Sequence, residues 1–365
     1  MKSITFVLNN FLVGGVEKLL SSLIKNINKE EFKIQVITIL GQGPLRQEFI
    51  NAGAEIIVLG PKQYPKNTFL KIIWLKISFL KLTAFLIKNK PDIVVTSLWQ
   101  ADILGIFSAS IAGVKKRILI QHDVQPLNPL IKIIKKTLAI NLSTHIVAIS
   151  LVTKEFLKDY FSADEKNIFI INNGVDFKYL EDYKSKNAEI VFGSIARLEP
   201  VKGYIYTIEA LKILKEQGFN PKILFYGDGV LAKELESKAK EYQLSNVQFL
   251  GEETDLKKML SSIDVLLAPS LSEGFGLSVL EAMVAGKIVI SSDLKAIREF
   301  IINDQSGILI EPKNSLALAS MIKKVLEDKV YAEKIKKGLD LWLDGDGKRF
   351  DIKNIAFQYE RLFRG

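Results

Sequence analysis

The chain has no cysteine and only two histidines, His122 and His145, in 365 residues. Without thiols there is no disulfide framework and no cysteine-ligated zinc. Two imidazoles do not make a histidine-based metal centre. A long uncharged apolar run is also missing. The most apolar stretch, Phe69–Lys88 (FLKIIWLKISFLKLTAFLIK), is interrupted by Lys71, Lys76 and Lys81, too often for a transmembrane helix. The N-terminal residues MKSITFVLNN hold too short an apolar run for a signal peptide and read as a first strand, so a cytoplasmic location is expected. No repeat of fixed short period is present. The glycine pair Gly14-Gly15 lacks the full G-x-G-x-x-G spacing, which leaves a dinucleotide fingerprint unsupported.

What is present is globular: 48% hydrophobic and 25% charged residues, with length for two domains of ordinary size. The net charge of +9 is unevenly distributed. Residues 1–180 hold 23 Lys+Arg against 13 Asp+Glu, and residues 181–365 hold 27 against 28. A first half at +10 calls for a polyanionic partner: nucleic acid, an anionic membrane surface, or a pyrophosphate-bearing acceptor. Its lysines are not interleaved with aromatic residues, as a base-stacking platform requires, so nucleic acid is the least supported of these.

Strand-like and helix-like segments alternate along the whole chain, which predicts parallel sheets with helices on both faces. The first series runs from Ser3–Leu8 through Ile34–Leu40, Glu55–Leu59, Asp92–Thr96, Arg117–Gln121 and His145–Ile149 to Asn167–Ile171. A polar, aperiodic boundary spans Asn172–Asn187. A second series follows, from Glu189–Ile195 to Gly307–Ile310, with helices expected at 204–216, 231–242, 277–285 and 294–301. The tail breaks at GDGK and ends in a helix with Ile352, Ile355, Ala356, Tyr359 and Leu362 spaced for one face.

Two segments keep two readings each. On a helix, Lys71, Lys76 and Lys81 fall about 140° apart, so Phe69–Lys88 is either a core helix with snorkelling lysines or one that touches a membrane interface. Lys132, Lys135 and Lys136 share a face; with Lys115-Lys116-Arg117 they form either a second basic region or an ordinary solvated surface.

The stretch with most chemistry is Pro269–Gly286, PSLSEGFGLSVLEAMVAG. It follows the apolar run Val265–Ala268, turns on Gly274 and Gly276, and enters a helix. That geometry points backbone N–H groups at an anion. Glu273 and Glu281 bracket the turn, and a carboxylate beside a phosphate makes sense if it accepts hydrogen bonds from vicinal hydroxyls. The ligand expected is therefore part anion and part polyol. Arg197 and Lys202 lie on one strand-to-helix loop, a fork and a point charge suited to a diphosphate. Gly14-Gly15 permit close backbone approach after the first strand. His122, beside Asp123, follows a strand at its carboxyl end, where ligands bind in open α/β sheets; structural and catalytic readings both stand.

Together these motifs resemble glycosyltransferase family 4, retaining nucleotide-sugar-dependent enzymes of the GT-B fold. GGVEK (14–18), NGVD (173–176), RLEPVKG (197–203), GDG (227–229), FLG (249–251) and the E-x7-E pair Glu273/Glu281 come in the family's order and spacing across nearly the whole length. The resemblance implies two doubly wound Rossmann-like domains facing across a cleft: an acceptor domain at 1–178, a hinge at 179–188, a donor domain at 189–343, and a final segment, 344–365, crossing back to the first.

It implies that Arg197 and Lys202 hold the diphosphate and stabilise the leaving group, and that Glu281 binds the ribose. The backbone of Phe275, Gly276, Leu277 and Ser278 would assist, with Gly14, Gly15, Gly227, Leu250 and Gly274 also lining the donor. Glu273 would contact the donor sugar, and His122 would lie near the reacting centre. The implied activity is a metal-independent hexosyltransferase with no cofactor. It uses a UDP- or GDP-linked sugar, a hexose or N-acetylhexosamine, and a glycan or lipid-pyrophosphate acceptor of bacterial surface polysaccharide, lipopolysaccharide or capsule. The basic half would meet the inner face of the membrane. The competing expectations are a nucleotide-sugar epimerase of the same fold and a non-catalytic two-lobed binder.

Overall fold

The computed structural model describes the whole chain except residues 62–66, 181–182, 184–186 and 188, with the side chains of Thr68 and Lys71 also outside the description. Six residues of the expected hinge segment 179–188 thus lie outside it. The chain divides into two compact units, Met1–Gly174 with Phe350–Gly365, and Val175–Arg349.

The first unit runs β1 (Lys2–Leu8), α1 (Gly15–Asn26), β2 (Phe32–Thr38), α2 (Arg46–Asn51), β3 (Glu55–Val58), α3 (Thr68–Asn89), β4 (Ile93–Ser97), α4 (Trp99–Ile111), β5 (Lys116–Gln121), α5 (Pro129–Lys135), β6 (His145–Ala148), α6 (Leu151–Phe161) and β7 (Ile168–Ile170). Its strands form one parallel sheet in the order β3-β2-β1-β4-β5-β6-β7. Strand residues such as Val7, Ile37, Val94, Leu119 and Val147 are fully buried, as a sheet covered on both faces requires. The order reverses between β1 and β4, so the loops leaving those strands flank the crevice where such sheets bind ligands. Asn9 joins the two, donating from Nδ2 to Gln100 Oε1 at 2.8 Å and accepting from the Ala101 N–H at 3.0 Å.

The second unit runs α7 (Phe177–Leu180), β8 (Val191–Ile195), α8 (Tyr204–Glu216), β9 (Lys222–Tyr226), α9 (Ala232–Glu241), β10 (Val247–Phe249), α10 (Leu256–Ser261), β11 (Val265–Ala268), α11 (Leu277–Val284), β12 (Ile288–Ser292), β13 (Ile308–Ile310), α12 (Ser315–Glu327) and α13 (Lys329–Asp344). The sheet is again parallel, β10-β9-β8-β11-β12-β13, with its reversal between β8 and β11. The helix expected at 294–301 does not form. A single tight turn at Ile297–Glu299 replaces it, and Phe300 packs on Phe275 with ring centroids 5.3 Å apart. Apolar residues that could periodically line a helix instead pack against the glycine turn before α11.

The last helix, α14 (Ile352–Arg364), belongs to the first unit and packs against α1. Phe363 is fully buried, edge-on to Phe32 at 5.7 Å. Its C-terminal carbonyls, left without helical partners, are taken by lysines from strand starts. Lys2 donates to Arg364 O at 2.7 Å and Lys116 to Leu362 O at 2.6 Å. Arg117 similarly donates to Val114 O at 2.6 Å and Leu142 O at 2.7 Å. The expectation of a second basic surface is therefore corrected at three positions. Lys116 and Arg117 cap carbonyls, and Lys135 is buried, because each finds an acceptor inside the fold.

On α3, Ser78, Leu82 and Leu86 face inward, and Ser78 donates to Ile39 O at 2.6 Å. Phe69, Ile73, Leu80 and Ile87, all exposed, form a stripe on the opposite side. Among the described residues no helix is long and apolar enough to cross a membrane.

Phe363→Ala is expected to destabilise the first unit by about 3–5 kcal/mol, read as a lower midpoint in urea denaturation. Leu341→Ala, at a site 76% exposed on α13, serves as control and should move stability by no more than about 0.5 kcal/mol. Equal effects would show that α14 is not anchored through Phe363.

Candidate active site

The site in the second unit is assembled by loops that leave neighbouring parallel strands at their carboxyl ends. The loop after β8, Ala196–Gly203, is locked to the loop after β9 by backbone bonds: Leu198 N–H to Asp228 O at 2.9 Å and Leu231 N–H to Leu198 O at 2.9 Å. Gly227 donates to Gly251 O at 2.8 Å, which ties in the loop after β10. On the other side, Leu271 N–H reaches Val201 O at 2.8 Å and joins the loop after β11. Gly203 has φ +67°, and a Cβ there would overlap Pro269 O. A side chain at this residue would push the two loops apart.

That junction brings Lys202 to Glu273. Lys202 Nζ lies 2.7 Å from Glu273 Oε1, and Ser270 Oγ donates to the same oxygen at 2.8 Å. The Lys202 and Glu273 side chains are only 22% and 13% exposed, so the pair is shielded enough to be firm. Arg197, on the same loop, has other company. Its guanidinium is 76% exposed and pairs with Glu199 at 2.5 Å. Beyond Glu273 the chain turns at Gly276, φ +96°, where a Cβ would strike Ile297, and enters α11 without a side-chain cap. The first amides of α11, from Leu277 and Ser278, thus form a bare helix N-terminus next to the Lys202–Glu273 junction. Glu281 is half-buried about one turn further along. Leu250 is 45% exposed beside Gly251.

In the first unit, Gly14 precedes α1 in extended backbone and Gly15 opens the helix, again without a side-chain cap. The place of a Gly14 Cβ is filled by the Glu17 carboxylate, which has folded back over the turn. Burial pushes the Glu17 carboxyl above its usual range. His122 lies just past β5. Both its ring nitrogens are sealed from solvent and lack a hydrogen-bond partner among the described residues. Burial, aided by the Lys135 ammonium, pushes its pKa down to about 3, so the imidazole is neutral at physiological pH and free to donate and accept.

The sequence reading missed the group next to His122. Asp102 and Lys135 form a buried ion pair at 3.0 Å, 1% and 4% exposed at their side chains. The available signal was Asp102 itself, the lone carboxylate in an otherwise apolar helix, a residue type rarely buried without a partner. Ser270 was missed as well, hidden in a loop.

Comparison with known proteins agrees with the fold. Residues 13–179 match the family described as Glycosyltransferase Family 4, and residues 176–339 match Glycosyl transferases group 1. The Escherichia coli UDP-Gal:alpha-D-GlcNAc-diphosphoundecaprenol alpha-1,3-galactosyltransferase is 28% identical over 87% of this chain and 86% of its own length. The Campylobacter jejuni N-acetylgalactosamine-N,N'-diacetylbacillosaminyl-diphospho-undecaprenol 4-alpha-N-acetylgalactosaminyltransferase is 26% identical over 94% of both. The crystal structure of Anabaena HepE with UDP and glucose superposes with a TM-score of 0.84 at 20% identity, covering all of both chains. With two parallel-sheet units of the GT-B kind and consecutive family matches spanning residues 13–339, this chain belongs to the family 4, group 1 glycosyltransferases and is a glycosyltransferase.

Proposed function

We propose that this glycosyltransferase moves a hexose or N-acetylhexosamine, with retention, from a UDP- or GDP-linked donor to a glycan or lipid-diphosphate acceptor in bacterial surface polysaccharide synthesis. The relatives from E. coli and C. jejuni carry diphosphoundecaprenol acceptors in their names, which supports a lipid-diphosphate acceptor over the epimerase and binder readings. The observation that carries the donor side is the Lys202–Glu273 pair beside the bare N-terminus of α11. Cleaving a sugar–phosphate bond leaves negative charge on the nucleoside diphosphate, and a preorganised ammonium with a helix N-terminus stabilises it. When donor binds, Lys202 turns from Glu273 to the diphosphate, and the freed Glu273 carboxylate accepts from a sugar hydroxyl. Glu281, one turn deeper, takes the ribose hydroxyls. Arg197, exposed and paired with Glu199, swings onto the same diphosphate.

The acceptor's lipid explains the surface of the first unit. Phe69, Ile73, Leu80 and Ile87 line the outer face of α3 with Lys76 among them, and α5 exposes Leu130 and Ile133. Apolar side chains flanked by lysines suit an anionic bilayer interface.

Lys202→Ala is expected to lower turnover by on the order of 10²-fold or more with the fold retained by circular dichroism. Turnover near the parent's would remove Lys202 from leaving-group stabilisation. In liposome flotation at low salt, the parent should rise with vesicles containing anionic lipid, and Phe69→Glu/Leu80→Glu should stay at the bottom. Equal flotation of the two would exclude the α3 face as the contact.

A further inference from the structure

The buried pair Asp102–Lys135 is part of neither the donor loops nor the acceptor surface, yet it reaches the turn that carries His122. Lys135 Nζ lies 3.0 Å from Asp102 Oδ2 and donates to Gln121 Oε1 at 2.9 Å. Gln121 Nε2 in turn donates to Asp123 O at 2.8 Å and stands 3.2 Å from Asp123 Oδ1. Asp102 is held on its other side by Thr96 Oγ1 at 3.0 Å. A continuous polar chain therefore runs from β4 through α4 and α5 to the residues on either side of His122. A helix on the surface would ordinarily turn a lysine outward; this one is 3% exposed. Burying an ion pair has a desolvation cost that rarely yields net stability against an apolar alternative, so its use lies in what it orients.

We propose that Lys135 is a positioning residue, whose ammonium ties Asp102 to Gln121 and thereby fixes the turn 121–123 and the orientation of the His122 imidazole. This rests on the reading that His122 lies near the reacting centre of the proposed transferase, as the family resemblance implies. The charged groups of the cluster are Asp102 on α4, Lys135 on α5 and Asp123 on the turn itself. Of these, the Lys135 ammonium opposes protonation of His122, and burial opposes it more strongly. Lys135 thus adds to burial in keeping the ring a neutral hydrogen-bonding group.

Histidine is scarce enough for a direct test, since His122 and His145 are the only imidazoles in the sequence. The full-length chain with labelled histidine is titrated by NMR, with His122→Gln for assignment and His145 as internal reference. In the parent, His122 should stay neutral across the folded pH range in a single tautomer. In Lys135→Gln/Asp102→Asn, which retains the shape of the network without its charges, the His122 pKa should rise by about one unit or more. The same variant should lower kcat by about 10-fold with donor KM unchanged. Lys132→Gln, on the same helix, should leave the His122 titration where it was. A parent His122 that titrates near 6, or a folded double variant in which it does not move, overturns the proposal; the parent result decides even where the variant does not fold. A parent that shows the expected titration but transfers no sugar supports the strut and refutes the function proposed for the site.

Discussion

Close backbone approach at a few glycines is the constraint on which the donor unit depends. Parallel strands deliver their loops to one end of the sheet, and the topology places the reversal between β8 and β11. Loops at a reversal tend to diverge. Here they are held together because Gly203 leaves space for the carbonyl oxygen of Pro269, while Gly227 and Gly229 on the loop after β9 leave space for those of Ala196 and Leu198. Lys202 meets Glu273 only because Gly203 lets its loop lie against Pro269. The electrostatics of the site therefore follow from a steric fact about backbones, and a side chain at Gly203 would separate the charges without altering either.

Much of this arrangement was readable from residues. The helix at 204–216 falls at its expected bounds, since apolar periodicity between glycine and proline punctuation leaves few alternatives. The turn into α11 was marked by Gly276 and by the paired carboxylates. What could not be read was the company each charge keeps. Arg197 and Lys202 look equivalent in RLEPVKG, but one is exposed beside Glu199 and the other is enclosed with Glu273. Lys135 looks like its neighbours Lys132 and Lys136 until the fold turns it towards Asp102. The segment 294–301 has the composition of a helix, but tertiary packing of Phe300 on Phe275 outweighed local propensity.

The positive charge of the first half has several uses. Lys2, Lys116 and Arg117 hold carbonyl ends, Lys135 is internal, and lysines of α3 border an apolar outer stripe. A net charge of +10 over residues 1–180 thus overstates the surface open to an anionic partner. On α5, which exposes Leu130 and Ile133, Lys135 lies on the inner side. One short helix therefore presents Leu130 and Ile133 to solvent and an ammonium to the His122 turn.

The central claim is that a nucleoside diphosphate takes the Lys202 ammonium away from Glu273. Co-crystallisation with UDP tests it directly. The account predicts a diphosphate oxygen within hydrogen-bonding distance of Lys202 Nζ, with Glu273 Oε1 no longer its partner and Ser270 Oγ still donating to that carboxylate. UDP bound with the 2.7 Å Lys202–Glu273 contact intact, and its phosphates remote from the N-terminus of α11, would contradict the account.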